Sequence, residues 1–143
     1  MAVTTKKRVA VLAGAALVAG ALIVPLAVYL RSPGRVFVGA ACDSRHPSAR
    51  AVSLGGPLCA VVLLDQPLVS HAVIDVEVSR RDESGAWRGV ATIAWRAEAH
   101  DDEIVFRAPH LDRLIGDRPG TYRIAFAREG HPIADATFTA SPK

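Results

Sequence analysis

At 143 residues and a formal net charge of +3, the chain has room for one modest globular domain and excludes a multidomain architecture. The charge is uneven: Lys6, Lys7 and Arg8 carry all of it, and from Arg31 onward 14 basic residues balance 14 acidic ones. A nucleic-acid partner, which calls for a basic domain, is therefore not expected.

Residues 1–8 form a short basic tail, read as cytoplasmic. The run Val9–Leu30 (VAVLAGAALVAGALIVPLAVYL) follows, 22 residues without a charge. A bilayer core of about 30 Å takes roughly 20 apolar residues in a helix, so 9–30 is predicted to be a transmembrane signal anchor. Pro25 interrupts the run, which membrane helices tolerate, and Tyr29 suits the headgroup layer. The Lys6-Lys7-Arg8 triplet predicts the N-terminus inside and the C-terminal domain outside, at the inner membrane of a cell with a periplasm. Two alternatives stay open. A cleaved signal peptide could use Ala19-Gly20-Ala21, although nine apolar residues continue beyond it; a lipoprotein could use Gly39-Ala40-Ala41-Cys42.

Arg31-Ser32-Pro33-Gly34-Arg35 reads as a linker, and residues 36–140 as the extracytoplasmic domain. Seven strands are expected there: 35–41, 58–64, 72–80, 87–97, 103–107, 121–128 and 132–139. The third is the clearest, with Ile74, Val76 and Val78 alternating with Asp75, Glu77 and Ser79. Asp82-Glu83-Ser84-Gly85 and Glu129-Gly130-His131 mark tight turns, and 110–115 (HLDRLI) allows one short turn of helix. Trp87 and Trp95, eight residues apart, would share one face of a regular strand.

Seven short strands spaced by turns predict an all-β two-sheet sandwich. Leu111-Asp112-Arg113-Leu114, followed by Asp117-Arg118-Pro119-Gly120-Thr121-Tyr122, resembles the corner between the fifth and sixth strands of immunoglobulin-like and fibronectin type III-like domains. The resemblance implies that Asp117 and Tyr122 form the fold corner, with the Tyr122 hydroxyl bonded to backbone a few residues upstream. The chain departs from antibody domains in having no cysteine near Ile124. Its only cysteines, Cys42 and Cys59, are expected to pair in an oxidising compartment, two reduced buried thiols being the alternative.

No GxSxG, HExxH, P-loop or dinucleotide turn is present, so no enzyme and no cofactor are expected. Alternating strands would bring His71, His100 and His131 to one end of the sandwich, where imidazoles could hold a metal ion. The opposite end would gather Arg45, His46, Arg50, His110, Arg113 and Arg118 on its longest loops, a candidate face for a partner. The expectation is a membrane-anchored, non-enzymatic accessory or assembly subunit whose domain binds a membrane or envelope protein. A metal- or ligand-binding module built on the three histidines is the alternative.

Overall fold

The computed structural model describes residues 34–42 and 51–142. The expected membrane segment 9–30, its tail, and Arg45, His46 and Arg50 lie outside the described residues. Among the described residues no helix is long and apolar enough to cross a membrane.

Period-two alternation builds the larger of two sheets. In β4 (Ala72–Arg81) Ile74, Val76 and Val78 point into the core while Asp75 and Glu77 are exposed. β4 pairs antiparallel with β5 (Trp87–Ala97) on one side and β7 (Gly120–Arg128) on the other. β7 pairs antiparallel with β8 (His131–Ser141) through a two-residue turn, Glu129-Gly130, in which both residues have positive φ (51° and 79°). That geometry twists with the strands and suits a tight hairpin, which is why glycine occupies the second position. A three-residue strand, β2 (Ala51–Ser53), runs parallel to the end of β8 and completes the order β2-β8-β7-β4-β5.

The smaller sheet has the order β1-β3-β6, all antiparallel: β1 is Gly34–Gly39, β3 Leu58–Leu64 and β6 Glu103–Ala108. β3 is its central strand, and Leu58 to Val62 are all buried, as its unbroken apolar run requires. Gly34 starts β1 so close to β3 that a Cβ there would stand 2.8 Å from the Leu63 carbonyl oxygen. Only glycine fits that approach.

The two sheets enclose one core, in which Phe106 of β6, Phe126 of β7 and Phe138 of β8 are each nearly inaccessible. The architecture is an all-β, immunoglobulin-like sandwich. It has eight strands where seven were expected. β2 is too short to show an alternating pattern, and it is defined by its pairing with β8 alone. β5 pairs with β4, not with β6, so three strands face five.

A second correction concerns the tryptophans. The β4–β5 register shifts between Val78 and Ser79, leaving Val90 as an extra residue. A bulge of one residue turns the following side chains to the other face. Trp95, opposite Ile74, packs inward, whereas Trp87, opposite Arg81, lies on the outer face and is 37% exposed.

Candidate functional site

The pairing registers sort the connections into two ends. One carries α1 (Leu111–Ile115), the Asp82–Ala86 turn and the disulfide. At the other, β1 begins at Gly34 and the β3–β4, β5–β6 and β7–β8 connections lie together.

The α1 end is braced by main-chain and covalent links. Leu111 N donates to Gly56 O and Asp112 N to Leu54 O, both at 3.0 Å, tying the helix to the turn after β2. Leu111 and Ile115 are buried beneath α1, and Gly116 N closes it on Asp112 O. His110, expected on a loop, is the exposed residue just before the helix, and it makes no side-chain cap. Cys42 and Cys59 form a disulfide with Cα atoms 5.3 Å apart, joining the chain just past β1 to the start of β3. It therefore lies along the smaller sheet and not between the sheets.

Tyr122 is buried with its ring stacked on Phe138, centroids 5.8 Å apart, and its hydroxyl donates to Arg118 O at 2.6 Å. This is the bond that the corner resemblance implies. Burial raises the phenol pKa above its ordinary value, opposed by the nearby Arg80 and Arg118 charges. Asp117 is exposed and takes no part in that bond. Arg80 reaches across to donate from Nη2 to Pro119 O at 3.3 Å.

In the adjoining turn, Asp82 Oδ1 accepts from Ser84 N, Ser84 Oγ and Ala86 N, and Arg88 Nε donates to Oδ2 at 2.9 Å. The Ser84 hydroxyl, then Arg88, hold its carboxyl well below the usual carboxylate range.

The result is a fixed basic end. Arg80, Arg81, Arg88, Arg107, Arg113 and Arg118 stand there against Asp82, Glu83, Asp112 and Asp117. Among the described residues, only Arg88 of the six arginines meets a carboxylate in an ion pair. The Gly34 end has the opposite balance, with Asp65, Glu98, Asp101, Asp102, Glu103 and Glu129 against Arg35, Arg96 and Arg128. Sequence reasoning found Arg113 and Arg118 but missed Arg80, Arg81, Arg88 and Arg107. Those four lie on strands, and strand register alone brings them to this end.

His71, His100 and His131 do fall at the Gly34 end, as expected. They do not converge: among the described residues no three His, Cys, Asp or Glu side chains could hold a metal ion. His71 Nδ1 is 2.8 Å from Glu98 Oε2, with both side chains largely exposed. His100 sits at φ 70° in a turn whose N–H donates to Leu68 O, and His131 starts β8. Three independent connections share an end without bringing their imidazoles to one point among the described residues. The open depression here, lined by His71, Ala72, Val73, Arg96 and Glu98, is shallow and exposed.

No family model matches the chain, and no curated protein does so. Among solved structures it is similar to an immunoglobulin-like protein from Pseudomonas aeruginosa, with 11% identity, 78% of this chain and 94% of that one covered, and a TM-score of 0.46. The soluble domain of PmoD from Methylocystis sp. is similar at 9% identity, with 74% and 89% covered and a TM-score of 0.45. The alkylpurine DNA glycosylase AlkC from Pseudomonas fluorescens gives 14% identity over 78% of this chain and a TM-score of 0.47, but the chain spans only 31% of its length. No activity or partner passes from these proteins to this chain.

Proposed function

We propose that this protein is a non-enzymatic accessory or assembly subunit, anchored in the membrane by residues 9–30, whose extracytoplasmic sandwich binds a membrane or envelope protein. One observation supports it above others: a braced, basic α1 end set against an acidic Gly34 end. Arg107, Arg113 and Arg118 are exposed there and meet no carboxylate among the described residues, on backbone that main-chain bonds hold in place. Exposed charges of one sign on a rigid frame steer and orient a partner of opposite charge more than they add affinity. The reading expects the partner to present an acidic surface.

The test is a mild-detergent purification of the full-length protein from its native membrane, beside an Arg113→Glu/Arg118→Glu variant. The expected result is one stoichiometric partner chain whose recovery falls roughly tenfold or more in the variant, with unchanged thermal unfolding. A partner retained at full yield would sink the α1 end as the binding face. A protein that purifies alone, with near-equimolar metal, would sink the subunit reading itself.

A further inference from the structure

We infer that the Val69 tip of the β3–β4 connection inserts into an apolar recess, rimmed by Lys or Arg, on the extracytoplasmic surface of a membrane protein. The inference rests on the anchored-subunit reading and adds a second contact to it, at the Gly34 end. Val69 is 88% exposed, the most open large hydrophobic side chain among the described residues, and Val73, at 54%, follows it at the start of β4.

The tip is held out by its neighbours. Leu68 is buried, its N–H donates to Asp101 O at 2.9 Å, and its carbonyl accepts from His100 N at 2.8 Å. On the other side of the tip, His71 Nδ1 stands 2.8 Å from Glu98 Oε2. The β5–β6 turn thus clamps the loop on both sides of Val69. Within that turn His100 adopts a φ of 70°, unfavourable for a residue other than glycine. With Leu68 fixed inward, Val69 has no route back to the core. A polar side chain would suit the exposed position equally well, so the valine is explained by what it meets outside. An apolar group on a preformed frame loses little freedom on binding, which suits it as an anchor.

The surrounding charge names the occupant. Asp65 begins the loop, and Leu64 N donates to Asp102 O at 2.8 Å, so both acidic residues stand at its foot. Both are exposed and neither meets a cation among the described residues. An anionic headgroup layer would repel such a tip. A second copy in the same membrane would present this same end, carboxylate to carboxylate. A basic protein surface complements it. On the anchored reading the chain enters the domain from the membrane at Gly34, whose register partner Leu64 is the last residue before the loop. A membrane protein in the same bilayer is therefore within reach of the tip.

The experiment places a photo-cross-linking residue, p-benzoylphenylalanine, at Val69 of the full-length protein in its native membrane, which keeps the tip apolar. The expected result is an adduct with one Lys- or Arg-bearing stretch of a different polypeptide, its yield falling roughly tenfold when Asp65→Lys and Asp102→Lys are added. Circular dichroism checks that these two exposed changes leave the sheets intact. An adduct with lipid or with a second copy overturns the inference, as does a yield indifferent to the charge reversal. No adduct from a protein that still co-purifies a partner overturns this inference and leaves the subunit reading standing. Loss of both adduct and partner overturns both.

Discussion

Trp95 meets Phe106 edge-on, with ring centroids 5.2 Å apart and planes at 75°, and so closes the side of the sandwich where β5 and β6 belong to different sheets. No backbone ladder joins those two strands, so the aromatic contact seals the seam in its place. Phe106 extends the contact inward to Phe126 at 6.4 Å, linking the seam to the centre of the core.

Truncation at this point should therefore be expensive. Phe106→Ala removes a fully buried ring and both aromatic contacts, and such changes cost about 3–5 kcal/mol. Urea unfolding of the outer domain should show that loss, together with a red-shifted Trp95 emission as water reaches the seam. A loss below about 1 kcal/mol would mean that Trp95 and Phe106 do not pack as described.

The Cys42–Cys59 bridge spans a sequence separation of 17. Closing a loop of that size restricts the unfolded chain by about 3 kcal/mol. Replacing both cysteines by alanine should lower stability by that order while retaining the strand signal in circular dichroism. Equal stability with and without reductant would show that the bridge contributes nothing to the fold.

How far the sequence discloses this molecule depends on the range of each signal. β4 was legible because Ile74, Val76 and Val78 report one face of one strand, a purely local pattern. The two-residue turn at Glu129-Gly130 was legible because its residue types suit positive φ. β2 was not, since three residues cannot display a period and its parallel partner lies in β8, far along the chain. The two tryptophans misled for a similar reason: the extra residue Val90 is visible only in the register against β4. The candidate faces divide the same way. Arg113 and Arg118 could be placed from topology, while Arg80 and Arg107 reach the same end only through pairing. The histidines show the converse limit, because a shared end does not bring side chains from separate turns to one point.

Tyr122 should behave as a corner bond on a buried ring. Tyr122→Phe keeps the stack on Phe138 and deletes only the bond to Arg118 O, so the loss should be about 1 kcal/mol. The same burial predicts that its phenol ionises above the usual value for tyrosine, read in the isolated outer domain as a delayed rise in absorbance near 295 nm relative to free tyrosine. A loss near zero, with ordinary titration, would place the hydroxyl in water.

Asp82 gives the domain an acid-sensitive turn. Its pKa is held down in the folded state, first by the Ser84 hydroxyl and then by Arg88, so the folded form favours the carboxylate. A depressed carboxylate contributes stability above its unfolded pKa of about 4, and that contribution is lost as pH falls below it. Asp82→Asn removes the charge but keeps an oxygen for the backbone N–H groups of Ser84 and Ala86. The variant should therefore be less stable than the natural chain at neutral pH, and the gap should narrow as pH falls below about 4, where Asp82 of the unfolded chain takes up a proton that the folded carboxylate still refuses. Thermal unfolding of both proteins between neutral pH and pH 2 measures the gap. A gap that stays constant across that window would show that Asp82 acts through shape alone, and that its pairing with Arg88 contributes nothing to the turn.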